Sequence, residues 1–215
     1  MMATTHAFVG LSLAVGVALV APEFAAVVAI AGLLGGLFPD FDLPAGHRRT
    51  LHFPVYYWVL AIPATAVALV APTQWSLAFA VFVLAAALHS VTDAVGGGLE
   101  TRPWEGTTDR AVYSHFHGRW IAPRQWVGYD GSPGDLALAA LLALPALFVF
   151  DGVVQSIIVA MLVISIAYTT LRKALVDAGG RLLKRAPPAL VATVPEWVRS
   201  DDSDNVPRTE RSRRD

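Results

Sequence analysis

Apolar residues along the chain come in six runs, at 5–21, 24–38, 54–71, 75–95, 135–150 and 152–172. Runs this continuous read as helices surrounded by apolar matter, and a helix that crosses a bilayer needs roughly 20 such residues. The second run, FAAVVAIAGLLGGLF, and the fifth, LALAALLALPALFVF, are short for a span. Gly32, Gly35 and Gly36 in the second would favour close helix packing. The breaks APE at 21–23, APTQ at 71–74 and DG at 151–152 are tight turns. The pattern predicts an all-α, polytopic membrane protein with six transmembrane helices in three antiparallel hairpins. The first run is expected to be a retained helix and not a secretory signal. MMATTH carries no Lys or Arg, Pro22 sits where processing would occur, and Thr4 and Thr5 are placed to cap the helix start.

The composition agrees: 55% of residues are hydrophobic and only 15% are charged, an apolar excess for a soluble domain. Charge then orients the hairpins. Six spans place the N-terminus, the 39–53 loop, the 96–134 segment and the C-terminus on one side, and all 16 Lys and Arg fall there. The other side receives Glu23 and Asp151. The positive-inside rule makes the basic side cytoplasmic, in an inner (cell) membrane. Residues 1–183 read as the membrane domain. Residues 184–215, rich in Pro and mixed charge, read as a disordered cytoplasmic tail, with 191–198 touching the membrane surface. Its arginines suit anionic membrane lipids, and no nucleic-acid partner is expected. The segment 96–134 is long for a structureless connector, which predicts a lid or folded insertion. Its Trp104, Trp120 and Trp126, with Arg102, Arg119 and Arg124, suit the headgroup layer.

Polar chemistry gathers at the basic side. Cysteine is absent, so any metal must be held by His, carboxylate, backbone or water. His89 and Asp93, spaced i and i+4, share one helical face in an otherwise apolar run. An ionisable residue in a membrane helix is costly and marks a functional site by default. Asp40 and Asp42 follow the second run, His47 and His52 precede the third, His6 opens the first, and His115 and His117 lie in the 96–134 segment. Singly, each has a plain explanation. His89 and Asp93 can satisfy each other, PDFD can be an Asx turn, HRR can set topology, and SHFHGRW can be a loop or strand edge. Together they compose an N/O pocket for Zn, Mn, Mg or Ca. Such a centre suits phosphoester hydrolysis. Arg48 and Arg49 are placed to clamp a phosphate, or simply to set topology.

The motifs THAFVG at 5–10, GLFPDFD at 36–42, HRRTLHF at 47–53 and LHSVTD at 88–93 resemble, in that order, the membrane-bound metal-dependent hydrolase family of the YdjM type. That family is distantly similar to zinc-dependent phospholipase C and P1 nuclease. The resemblance covers the first half of the chain. It implies His6, Asp40, His52, His89 and Asp93 as metal ligands, with Asp42 and His47 in or next to the ligand set. It also implies a divalent metal, zinc first and Mn or Mg as alternatives. Asp40 or Asp42 would be the general base. The substrate would be a small-molecule or lipid phosphoester, with Arg48, Arg49, His115 and His117 as substrate contacts. The soluble enzymes use further histidines and a glutamate, for which His115, His117 or Glu100 would have to stand in. Two other classes compete: a non-catalytic membrane scaffold with a structural metal, and a proton-coupled transporter with a His/Asp relay. The relay calls for polar groups near the midplane or on both sides, which the sequence does not offer.

Overall fold

Each apolar run becomes a helix, and the polar breaks end it. In the computed structural model, which describes residues 1–195 and Val198, the helices in chain order are α1 (Ala3–Val20), α2 (Ala25–Leu37), α3 (Leu43–Gly46), α4 (Tyr56–Val70), α5 (Gln74–Thr92), α6 (Pro133–Val149), α7 (Gly152–Arg185) and α8 (Pro188–Val191). Short 3-10 turns, Pro22–Phe24 and Phe38–Asp42, flank α2. α5 starts at a capping box in which Thr73 and Ser76 satisfy each other's backbone N–H. α6 starts at Ser132, whose hydroxyl accepts from the Asp135 N–H. α1 begins two residues earlier than expected, so Thr4 and Thr5 lie inside it and do not cap it. The buried Thr5 hydroxyl instead donates to Asp135 Oδ1 (2.7 Å), tying α1 to α6.

Four helical segments are long and apolar enough to cross a membrane: Ala3–Val20, Pro22–Asp42, Gln74–Thr92 and Gly152–Arg185. Tyr56–Val70 and Pro133–Val149 are shorter apolar helices. The second run thus gains length from its 3-10 turns, and the third comes out shorter than its sequence suggests. The apolar window of α7 is only 11% buried in protein, and exposed side chains such as Phe148, Val70 and Val20 continue that greasy outer surface. The chain is a membrane protein on this ground.

α1 is the central helix and packs against α2, α5 and α6. Lipid is as apolar as a leucine side chain, so apolar burial alone gives little drive for helix association, and close approach must supply it. Gly10 and Gly32 meet where α1 crosses α2, and a Cβ on either would run into the other's carbonyl group. Phe8, Leu11, Val28 and Ile158 fill the core around this crossing.

The 96–134 segment is a folded insertion. Strands β1 (Val112–Ser114) and β2 (Arg119–Ile121) pair antiparallel, with Tyr113 opposite Trp120. Further on, the N–H groups of Arg124, Gln125 and Trp126 donate to the carbonyls of Ala94, Gly96 and Val95, at 2.8–3.1 Å. The insertion is thereby stitched to the end of α5. α7 runs on past its expected end at 172 to Arg185. At 1.5 Å per residue it is about 51 Å long, well beyond a bilayer's ~30 Å core. Most of the expected tail lies outside the described residues. Its beginning holds the end of α7 and the short α8.

Candidate metal centre

Asp40, His52, His89 and Asp93 each bring one ligand atom into a group whose members all lie within 4.8 Å of one another. The atoms come from the 3-10 turn after α2, the loop before α4 and the end of α5. His52 Nε2 is 3.2 Å from His89 Nε2, 3.1 Å from Asp93 Oδ2 and 3.9 Å from Asp40 Oδ1. His89 Nε2 is 3.4 Å from Asp40 Oδ1 and 3.7 Å from Asp93 Oδ2. A tetrahedral centre with metal–ligand bonds of ~2.0–2.1 Å has ligand–ligand edges of ~3.3–3.4 Å. The observed edges bracket that value, so the four residues could hold a metal ion.

Proton placement strengthens the fit. His89 Nδ1 is 2.6 Å from the Gly36 carbonyl, which can only accept, so Nδ1 carries a proton. His52 Nδ1 likewise donates to the Asp42 carboxylate at 3.0 Å. Both imidazoles are therefore turned with Nε2 toward the centre, 3.2 Å apart, where a shared proton, or a metal ion that displaces it, would satisfy both nitrogens. Asp93 Oδ2 is buried and has no well-aligned hydrogen bond, with His52 Nε2 at 3.1 Å and Arg48 Nε at 3.5 Å as its charged neighbours. An orphaned carboxylate oxygen beside two inward imidazole nitrogens is a donor set that suits a divalent ion.

The flanking residues orient these four. Asp42 is fully buried and accepts from the N–H groups of Arg48, Arg49 and Leu51, from His47 Nδ1 and from His52 Nδ1, at 3.0–3.3 Å. Its oxygens are taken up in fixing the 47–52 loop and the His52 ring, which makes it a positioning group and leaves it no room to act as a base. His47 Nδ1 bonds to Asp42 (3.2 Å), and its ring meets that of His52 edge-on at 5.9 Å. His6 lies beside the four and not among them: its Nε2 is 3.0 Å from Asp93 Oδ1, its Nδ1 is 3.3 Å from the Thr92 hydroxyl, and its ring stacks on His89 at 3.7 Å. A Cβ at Gly36 would strike the His6 carbonyl, so glycine there lets α1 and α2 bring His6 and the Gly36 carbonyl to His89. Asp40 is the exposed member, with 21% of its side chain accessible; the other three are at 2% or less.

Arg48 is the residue whose role the sequence did not reveal. It adopts a left-handed backbone (φ 59°), costly for a side chain with a Cβ. Its N–H donates to Asp42 and its carbonyl accepts from the Tyr113 N–H at 2.9 Å. That turn sends the guanidinium inward, where Nη1 donates to the Gly97 carbonyl (2.8 Å) and Nε lies 3.5 Å from Asp93 Oδ2. Burial opposes charge on Asp93, but Arg48 beside it and its further neighbours outweigh that and hold the carboxyl well below the usual range. At His52, burial opposes protonation, yet the bonds and charges of Asp42 and Asp93 win and raise the imidazole to about 9.

Arg49 and the two later histidines stay outside the cluster. The Arg49 guanidinium lies over the Tyr113 ring. His115 Nε2 donates to the Arg49 carbonyl at 2.6 Å, and His117 Nδ1 is 2.9 Å from the Ser114 hydroxyl. Glu100 accepts from the N–H groups and a hydroxyl of Thr107 and Thr108, again away from the four. No protein-family model, curated protein or solved structure matches this chain, so the site stands on its own geometry.

Proposed function

We propose that this chain is a membrane-embedded, metal-dependent hydrolase of a phosphoester, related to the membrane-bound metal-dependent hydrolases that its motifs resemble, with its site at the cytoplasmic face. The observation that carries the reading is the inward pair of Nε2 atoms, met by Asp40 and an otherwise orphaned Asp93 oxygen. A divalent ion bound there, zinc by the tetrahedral spacing or Mn or Mg, would supply a Lewis acid that activates water near neutral pH and polarises the phosphoryl group. Within the protein, Asp40 is the carboxylate open to solvent, and it takes the proton of the attacking water. Asp42 holds His52 in the required tautomer, His6 steadies Asp93, and Arg48 offsets developing negative charge. The orientation follows from the placement of Lys and Arg. The two shorter apolar helices, packed in the same bundle, complete six spans.

One observation favours a second reading. Four protein ligands close a tetrahedron, and closed sites are usually structural, whereas catalytic ones keep a position open. A non-catalytic scaffold with a structural metal would use the same residues. Asp40→Asn separates the two. In a hydrolase it retains the metal and loses turnover by about 10²-fold or more. In a scaffold it lowers metal affinity and melting temperature together. The assay is a panel of phosphodiester, phosphomonoester and lipid substrates with and without chelator. Turnover that a chelator leaves untouched sinks the metal-dependent reading.

A further inference from the structure

A cavity of about 960 Å³ lies at the same end of the bundle as the cluster, between the far end of α7, the 98–107 segment and the 43–48 turn. Small-ligand sites occupy roughly 300–1,000 Å³. Its wall has three unusual features. Gly179 and Gly180, both lining it, sit in the interior of α7, where each costs about 1 kcal/mol of helix propensity relative to Ala. A Cβ at either would meet nothing within 4 Å, so packing does not demand glycine; the effect is to leave the wall bare.

Acids on the wall are already engaged. Arg102 pairs with Asp177 (3.0 Å) and Glu105 (3.4 Å), Arg172 pairs with Asp130 (3.4 Å), and Glu100 is held by Thr107 and Thr108. Arg48 and Arg181 add positive charge to the lining. Arg48 is 95% buried between cavity and cluster, its Nη1 donating to the Gly97 carbonyl and its Nε 3.5 Å from Asp93 Oδ2, and Lys184 adds a further cation to the lining. Alongside these cations the lining carries Val176, Leu183 and Leu43. Guanidinium groups match phosphate oxygens in planar, paired geometry. A site that joins them to aliphatic side chains, at the level where α7 leaves its apolar stretch, fits a ligand polar at one end and apolar at the other.

We propose that this cavity binds a phosphate ester carrying an apolar tail, a membrane phospholipid entering from the headgroup layer, with its phosphate on the arginines and its tail against Val176 and Leu183. As the substrate site of the hydrolase it rests on the reading above, because Arg48 is shared by the cavity and the cluster. As a lipid site it does not depend on turnover.

Native mass spectrometry of the full chain in detergent reads binding without catalysis. The probes are dioleoyl phosphatidic acid, dioleoyl phosphatidylcholine, glycerol 3-phosphate and inorganic phosphate. Phosphatidic acid is expected to bind most tightly. Gly179→Phe and Gly180→Leu fill the cavity and weaken it at least tenfold, with helical signal and melting temperature preserved because both raise helix propensity. Arg181→Glu, on the exposed flank of α7, weakens it by charge alone. Gly16→Leu on α1, with equally open surroundings, changes nothing. Equal lipid affinity in the parent and all three cavity variants overturns the proposal, as does inorganic phosphate binding as tightly as the lipid. Lipid binding without hydrolysis of any phosphoester sinks the hydrolase and leaves the cavity standing. Hydrolysis undiminished in the filling variants sinks the cavity as substrate site and leaves the hydrolase.

Discussion

The two ends of one helical bundle differ more than any two of its helices. At the turns 21–23, 71–74 and 151–152, helix ends carry only Glu23 and Asp151 as charges, and side chains such as Val20, Val70 and Phe148 are more than 80% exposed. At the other end, His6, Asp42, Arg48, His52, His89 and Asp93 are all buried within the same helices and their loops. Helix packing explains the first end entirely. It does not explain the second, since burying so many ionisable groups costs several kcal/mol per ion unless each is paired. The contrast separates what holds the bundle together, small residues at crossings such as Gly10 with Gly32, from what the bundle holds.

The contrast breaks most sharply at Asp93. Asp93→Ala leaves the Arg48 guanidinium buried without its partner and removes a ligand atom, so a loss of about 3–5 kcal/mol in stability is expected together with loss of the metal. Thermal melts in detergent, with and without added zinc, would check this; a melt that still rises with zinc as in the parent contradicts it. Asp42→Ala acts at one remove. It frees the His52 ring and the 47–52 loop, and metal affinity measured by competition with a chromogenic chelator should fall about 10–100-fold without vanishing.

The pH dependence of affinity sharpens the comparison further. With His52 raised to about 9 in the metal-free protein, a metal must displace its proton below that pH. Asp93 is already charged and releases none. Affinity should therefore climb about tenfold per pH unit up to roughly pH 9 and then level, with one proton released per ion bound. Calorimetry in buffers of different ionisation enthalpy counts that proton, and a flat profile from pH 6 to 8 would refute the assignment. The smallest effect belongs to the opposite end. Glu23→Gln and Asp151→Asn should shift stability by no more than about 0.5 kcal/mol and leave metal content untouched.

Much of this contrast was legible in the sequence. The i, i+4 spacing of His89 and Asp93, and the placing of Asp40 and His52 against helix ends, pointed to an N/O pocket, and the motif resemblance singled out these four, with His6, as its ligands. The roles within it were less visible. Nothing in the spacing says that Asp42 spends its oxygens on three backbone N–H groups and two imidazoles, or that His6 stops beside Asp93, because both depend on loop conformation and helix crossing. Arg48 read as a phosphate clamp or a topology-setting charge, and its inward turn rests on a left-handed backbone held by Asp42 and Tyr113. Helix lengths were equally ambiguous where polar residues continue a helix, as in α7 beyond 172, which runs through the breaking pair Gly179-Gly180 and ends only at Arg185, just before Pro187.

Metal analysis of the purified protein decides whether the four-residue cluster holds an ion. One divalent ion per chain is expected in the parent, removed by chelator and restored on adding zinc, and none in His89→Ala or in Asp93→Ala. Retention of the parent's stoichiometric metal by both variants would contradict that expectation.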